Sequence, residues 1–256
     1  MREFFGFGGY TRKPEGFLSW QHLLFVTILM VIMVALAIYF GLKSRDKDIS
    51  QKNKGLLWAA ILIDGFELFK IIIVCIRGND AMLWIYNLPL FLCSIQLITI
   101  PLAALAKGRV KEAALDFVFI FGILGAVLGT YGAGNNYSTN PVLSFDNVVS
   151  GITHAISGFA SLYIGISKMT SMKVENIIIT FAILLSFCVV AYGVNHLIDY
   201  NYMFLMRGDG TPYDIFYNMV NGSKILYPLV VVFLFILYVS VFYLVFYLIK
   251  RKKNKM

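Results

Sequence analysis

Long apolar stretches alternate with short polar ones along the whole chain. Each stretch has about 20 residues, the number that crosses a hydrocarbon core of roughly 30 Å as an α-helix. The predicted membrane spans are 19–42, 56–76, 86–106, 114–132, 148–167, 176–198 and 225–249. The short loops leave no room for a soluble domain. The pattern therefore predicts an all-α, polytopic membrane protein, with one seven-transmembrane-helix bundle over residues 1–256.

Composition and charge agree with this class. Of 256 residues, 59% are hydrophobic and 14% are charged, too few charges for a soluble domain to cover its apolar side chains. The net charge of +8 does not indicate a nucleic-acid partner, because Lys and Arg concentrate in alternate loops, 15 on one side and 6 on the other. The positive-inside rule then predicts an N-terminus outside and a C-terminus in the cytoplasm.

Polar side chains inside the spans are informative because each costs free energy in hydrocarbon. With the predicted topology they lie in the outer half of the bundle, and the inner half has nothing comparable. They are His22, Asp64, Glu67, Lys70, Cys93, Gln96, His154, Asn195, His196 and Asp199. This asymmetry predicts a pocket that opens to the outer leaflet.

Helical spacing places many of these residues on shared faces. A stripe of small and polar residues on the fifth span would let a neighbouring helix approach closely. It consists of Gly151, His154, Ser157, Gly158 and Ser161. Similar spacing relates Pro89, Cys93 and Gln96 on the third span, Glu67 and Lys70 on the second, and Tyr192, Asn195, His196 and Asp199 on the sixth.

The residues alone leave a structural reading open at each position. Cys93 can pack as a small apolar side chain, and His154 can bridge two helices. His22 and His196 can anchor their helices at the interface. The three histidines have no spacing that is diagnostic of a metal site, so no metal and no cofactor is expected.

Four stretches together resemble a known family. They are SWQHLLF at 19–25, LPLFLC at 88–93, the helix around His154, and NHLIDYNYMFL at 195–205. The chain resembles the YwaF family of bacterial integral membrane proteins, which is similar to the eukaryotic transmembrane protein 164 acyltransferases. The resemblance implies a bacterial cytoplasmic membrane protein that transfers fatty acyl groups, with Cys93 as the acyl-carrying nucleophile and His154 as its base. The family motif often has His where this chain has Phe91, which leaves the effect of Phe91 on activity open.

Such chemistry needs further polar groups near the sulfur. Candidate oxyanion donors are Asn195, Gln96 and, after them, Asn201, and the candidate orienting carboxylates are Glu67 and Asp199. The candidate substrate-pocket residues are His22, Phe91, Tyr192 and His196. The expected partner is a membrane phospholipid or lysolipid. The sequence does not distinguish transferase from hydrolase, and it does not give the oligomeric state.

Two other functions stay open. Intramembrane ionisable residues such as Asp64, Glu67 and Asp199 also mark the paths of ion-coupled transporters. The predicted polar residues stop halfway across, however, and seven helices do not divide into two inverted repeats. A non-catalytic lipid-binding protein would keep the pocket without the chemistry.

Overall fold

The computed structural model describes residues 2–170 and 172–253, and within these residues every regular element is helical. The α-helices described are α1 Trp20–Ser44, α2 Ile49–Gly78, α3 Gln96–Leu105, α4 Gly108–Tyr131, α5 Gly134–Thr139, α6 Phe145–Ile166, α7 Ile177–Ile198, α8 Tyr213–Met219 and α9 Leu226–Lys253. Short 3₁₀ segments lie at Ala81–Asn87, Val174–Asn176 and Tyr202–Phe204. The predicted all-α class is confirmed.

Among the described helices, five are long and apolar enough to cross a membrane. They are Trp20–Ser44, Gly108–Thr139, Phe145–Ile166, Val174–Ile198 and Leu226–Lys252. α2 is also long, at 30 residues, but Asp64, Glu67 and Lys70 interrupt its apolar stretch. Large apolar side chains cover the outside of the bundle, with Leu197 84% exposed and Ile178 74% exposed, as is typical of surfaces that face lipid. The chain is a multi-pass membrane protein.

The predicted third span, 86–106, is not one continuous helix. The 3₁₀ segment ends at Asn87, residues 88–95 are irregular, and α3 has only 10 residues. Pro89 explains the break, because proline disfavours helical backbone in the residue before it and has no N–H to donate. Leu88 accordingly has φ −63° and ψ 150°. The expectation that Pro89, Cys93 and Gln96 share one helix face is therefore wrong.

α6 is the central helix and packs against α1, α2 and α4. Small residues allow the close approach. A Cβ on Gly158 of α6 would lie 2.2 Å from Met33 Sδ of α1, and a Cβ on Gly122 of α4 would lie 2.7 Å from the Ser157 carbonyl oxygen. Side chains larger than those present would push these helices apart. The predicted packing role of the small stripe on this helix is confirmed.

A buried carboxylate, Asp116 of α4, corrects the expectation that polar groups are confined to one half of the bundle. It lies nine residues before Gly125, or roughly 14 Å along the helix. Its oxygens accept hydrogen bonds from Asn176 Nδ2 at 3.0 Å, from Tyr243 at 2.9 Å and from the Thr170 hydroxyl. Both oxygens are thus paired, as in buried carboxylates that tie helices together.

Residues 2–18, the N-terminal strap, fold back over the end of the bundle where α2 ends and α6 begins. The Phe145 N–H donates to the carbonyl oxygen of Phe4 at 2.9 Å. The Val142 N–H donates to Glu15 Oε2 at 2.8 Å. These bonds fasten both ends of the strap to the segment around the start of α6.

Candidate functional site

Cys93 lies in the irregular segment 88–95, just before α3, rather than within a helix. Ser94 closes the turn around it. The Ser94 hydroxyl accepts from the Phe91 N–H at 3.0 Å and donates to the Phe91 carbonyl at 3.1 Å, and the Ile95 N–H donates to the same carbonyl at 2.9 Å. The Cys93 side chain is partly accessible and is a free thiol. The turn therefore presents sulfur at the N-terminal end of a helix.

His154 of α6 is a close neighbour of the Cys93 thiol, and the two side chains are near enough to interact. Its Nδ1 lies 2.7 Å from the carbonyl oxygen of Ser150, one turn earlier in the same helix. A carbonyl only accepts, so Nδ1 carries the proton and Nε2 of the neutral ring is the nitrogen left to accept the thiol proton. The structure thus brings together the two residues that the sequence predicted as nucleophile and base.

Two glycines of α4 make room for this pair. A Cβ on Gly129 would lie 2.0 Å from His154 Nε2, and a Cβ on Gly125 would lie 3.5 Å from Cys93 Cβ. The glycines are four residues apart and so lie on one face of the helix. The sequence analysis missed them, although the spacing of Gly122, Gly125 and Gly129 was a readable signal for close helix contact.

The group that orients the imidazole is a backbone carbonyl and not a carboxylate. Glu67, one predicted candidate, forms an ion pair with Lys70 at 2.6 Å, as the sequence predicted for these two residues. Asp199, the other candidate, is exposed and ends α7 with a left-handed φ of 51°. The Ser150 carbonyl fills the role at 2.7 Å instead.

Gln96 is the predicted oxyanion donor that remains next to Cys93. It is fully buried at the first residue of α3. Its Oε1 accepts from the Thr99 hydroxyl at 3.1 Å, whereas its Nε2 has no hydrogen-bond partner among the described residues. An amide left in this state has donors to offer a ligand.

The side-chain amides of Asn195 and Asn201 form hydrogen bonds within the segment that follows α7. Asn195 accepts from the Tyr202 N–H at 2.7 Å and donates to the Tyr202 carbonyl at 3.0 Å. Asn201 donates to Asp209 Oδ2 at 2.7 Å and accepts from the Met206 N–H at 2.9 Å. These amides shape a loop, and the prediction that they donate to an oxyanion is not supported by their contacts.

Phe91 belongs to an aromatic cluster with that same loop. Its ring centroid lies 5.0 Å from Tyr202 and 6.1 Å from Tyr200. The Tyr202 hydroxyl donates to the Ile85 carbonyl at 2.6 Å and accepts from the Leu88 N–H at 3.1 Å. The loop after α7 is therefore fastened to the segment that leads to Cys93.

Three predicted pocket residues have other contacts. His22 is fully buried, with Nδ1 accepting from the Leu18 N–H at 3.1 Å and Nε2 lying 3.1 Å from the Thr130 carbonyl. Nδ1 thus holds the residue that leads into α1, and Nε2 joins α1 to α4. The Tyr192 hydroxyl donates to the Lys224 carbonyl at 3.2 Å. His196 is exposed on α7, so its predicted place in the pocket is wrong.

A cavity of about 610 Å³ lies at the end of the bundle beneath the N-terminal strap. Its lining includes Gly6, Tyr10, Lys70, Arg77, Asn87, Asn136, Asn140, Asp146 and Ser150. Ser150, whose carbonyl accepts from His154, is part of this lining. Within the described ranges, no group of three or more His, Cys, Asp or Glu side chains is arranged to hold a metal ion.

Comparison with known proteins rests on a family match. No curated protein and no solved structure matches the chain. The model of the TMEM164 family matches residues 17–246, a range that includes Cys93, His154 and the α4 glycines. The likeness to the transmembrane protein 164 proteins is confirmed, and the chain belongs to the TMEM164 family.

Proposed function

We propose that this protein is a membrane-embedded acyl enzyme that moves a fatty acyl group from a membrane phospholipid or lysolipid through a thioester on Cys93. The observation that carries the proposal is the proximity of the Cys93 thiol and His154, which pack against Gly125 and Gly129 one turn apart on α4. A thiol in apolar surroundings is protonated and unreactive, so a base within hydrogen-bond reach is what makes it a nucleophile. Membership of the TMEM164 family supports the same class of chemistry.

The first half-reaction transfers the acyl group to sulfur. His154 Nε2 takes the Cys93 proton as sulfur attacks the ester carbonyl carbon. The tetrahedral intermediate collapses, the carbon–oxygen bond of the ester breaks, and the leaving alkoxide takes the proton from the imidazolium. The products are the Cys93 thioester and the alcohol form of the donor.

The second half-reaction runs the same proton path in reverse order. An acceptor hydroxyl, from a lysolipid, another alcohol or water, gives its proton to His154 and attacks the thioester. The carbon–sulfur bond breaks, and the thiolate recovers the proton. The identity of the acceptor decides whether the protein acts as a transferase or a hydrolase.

Negative charge on sulfur and on the carbonyl oxygen needs donors. Cys93 and Ser94 lie in the turn directly before α3, so their backbone N–H groups are candidate main-chain donors. These N–H groups precede α3, whose N-terminal end favours negative charge. Gln96 Nε2, which has no partner among the described residues, is the side-chain donor for the oxyanion.

The loop charges support an orientation in which the site opens to the outer leaflet of a bacterial cytoplasmic membrane. In this arrangement the N-terminal strap is outside and the Lys- and Arg-rich C-terminus is in the cytoplasm. Apolar acyl chains would lie against the Phe-rich helices while the ester reaches Cys93.

Intact-mass analysis tests the proposal. The purified protein is incubated with a phospholipid ester, and we expect a mass increase of one acyl group that hydroxylamine removes. Cys93→Ala should abolish the increase. Cys75→Ala and Cys188→Ala are matched controls, because Cys75 donates to the Ala81 carbonyl and Cys188 packs against Met203. An adduct that survives in Cys93→Ala, or is lost in Cys188→Ala, would overturn the assignment.

A further inference from the structure

The cavity beneath the N-terminal strap has a lining suited to an anionic ligand. Its charged side chains are Lys70, Arg77 and Asp146, and Lys70 also pairs with Glu67. Arg77 forms an ion pair with Asp146, in which Nη1 donates to Oδ2 at 2.7 Å and Nη2 donates to Oδ1 at 3.0 Å. This bidentate pair neutralises itself and fixes one wall of the cavity.

Lys70 is the cation that remains for a ligand. Its Nζ donates to Glu67 Oε1 at 2.6 Å, and this is its one hydrogen bond within the described residues. An ammonium group has three donors, so two are left. The side-chain amides of Asn136 and Asn140, in and just after α5, also line the cavity and have no hydrogen bond to another described residue. A cluster of unused donors faces one space.

The strap roofs this space through a glycine-rich turn. Gly6 and Gly9 have φ of 71° and 88°, values that side-chain-bearing residues rarely adopt. A Cβ on Gly6 would lie 2.9 Å from Arg77 Nη1, so glycine is needed for the strap to approach the arginine. Arg77 Nη1 in turn donates to the Phe5 carbonyl at 3.2 Å.

Tyr10 connects the roof to the wall. Its hydroxyl donates to Asp146 Oδ2 at 2.8 Å. Burial, together with this hydrogen bond, raises the pKa of Tyr10 above its ordinary value, so the phenol keeps its proton at neutral pH and remains a donor. The strap is thereby held over the cavity by a hydrogen bond from a neutral phenol, which adds no negative charge to the cavity.

We propose that this cavity binds the phosphodiester headgroup of the ester lipid, with Lys70, Asn136 and Asn140 as donors to the phosphate oxygens. This inference rests on the proposed acyl-transfer function and assigns its headgroup subsite. A phosphodiester carries one negative charge and has only acceptors at its oxygens, which complements the ammonium group of Lys70 and the unused N–H groups. The volume of about 610 Å³ is in the range of small-molecule sites.

The position of the cavity explains why a headgroup bound there would place an ester at Cys93. Ser150 lines the cavity and also orients His154. Lys70 is close enough to His154 for the two groups to interact electrostatically. Ser150 therefore belongs both to the cavity wall and to the support of the base.

Lipid binding, measured apart from catalysis, tests this inference. Cys93→Ala protein in detergent micelles is given radiolabelled dioleoyl phosphatidylglycerol, with unlabelled competitors: the same phospholipid, dioleoylglycerol with no headgroup, and inorganic phosphate. We expect the phospholipid to compete about 10-fold or more better than dioleoylglycerol. Phosphate that competes as well as the phospholipid would identify a free-phosphate site and overturn the headgroup assignment.

Two variants carry the test. Lys70→Gln removes the cation, and Asn136→Asp keeps the side-chain size while placing a negative charge toward the phosphate. Each should weaken phospholipid binding by about 10-fold and leave dioleoylglycerol binding unchanged. Lys173→Gln is the matched control, because Lys173 is an exposed lysine that pairs with Glu112. Unchanged phospholipid binding in both variants would overturn the inference.

The two proposals fail in different ways. A normal acyl adduct on Cys93 with binding that ignores the headgroup would refute the subsite and leave the acyl-transfer proposal standing. Headgroup-dependent binding without any adduct would refute the acyl-transfer proposal and leave a phospholipid site.

Discussion

Gly129 and His154 meet so closely that the imidazole occupies the place of an alanine side chain. A Cβ on Gly129 would lie 2.0 Å from His154 Nε2, the atom to which the thiol proton must pass. Gly129→Ala should therefore displace the ring and slow formation of the acyl adduct by about 10²-fold or more, the usual contribution of a positioned base. The adduct is followed by intact mass against time.

The control for that variant is Gly193→Ala on α7. Outside its own helix turn, no described heavy atom lies within 4 Å of its Cβ position, so adduct formation should keep the wild-type rate. Equal rates in the two alanine variants would contradict the arrangement of His154 against α4.

His154→Gln should reduce the rate of adduct formation by about 10²- to 10⁴-fold, because the thiol loses its proton acceptor. Thermal unfolding in detergent should change little, since Gln can still donate to the Ser150 carbonyl. His196→Gln is the comparison, because His196 is exposed and contacts only its own helix turn. A His154→Gln protein with full activity would mean that another group deprotonates Cys93.

Arg77→Lys should loosen the N-terminal strap. Lysine cannot reproduce the two parallel bonds to Asp146, and its shorter reach also removes the contact with the Phe5 carbonyl. Limited proteolysis with trypsin should cut after Arg12 several-fold faster than in the unmodified protein. Arg207→Lys, which alters an exposed pair with Asp209, should leave the cleavage rate unchanged.

Asp116→Asn should lower the stability of the bundle by about 1–3 kcal/mol, the cost of leaving a buried polar group without its partner. The substituted amide has one acceptor oxygen where the carboxylate has two, and three donors point at it. The midpoint of thermal unfolding measures the effect. Adduct formation by the folded protein should persist, because Asp116 is about two helical turns or more from Gly125. Asp46→Asn, at an exposed position, is the control.

The apolar stretches of the sequence predicted much of the fold. Uninterrupted runs such as 176–198 became single helices, since a run of that length can satisfy its backbone in hydrocarbon only as a helix. The run 86–106 did not, because Pro89 breaks the backbone pattern while leaving the hydrophobicity unchanged. Hydropathy counts apolar residues and therefore does not detect the effect of a proline on the backbone.

The site was predictable where side-chain identity decides the chemistry. Cys93 and His154 stand out as a thiol and an imidazole in apolar surroundings, and the structure brings them into contact. The acceptor for His154 Nδ1 could not be found this way, because a peptide carbonyl is present at every residue. Asn195 and His22 were predicted as site residues because their side chains are polar. In the structure, each uses its hydrogen bonds to hold backbone groups.

The carbonyl of Ser150 has one more consequence for the base that it orients. A peptide oxygen is not protonated at mildly acidic pH, so it keeps accepting the Nδ1 proton of His154. A carboxylate in its place would be protonated over part of the same pH range and would no longer fix the tautomer. When the pH falls, protonation of the imidazole itself is then the one ionisation that would stop His154 from accepting the Cys93 proton.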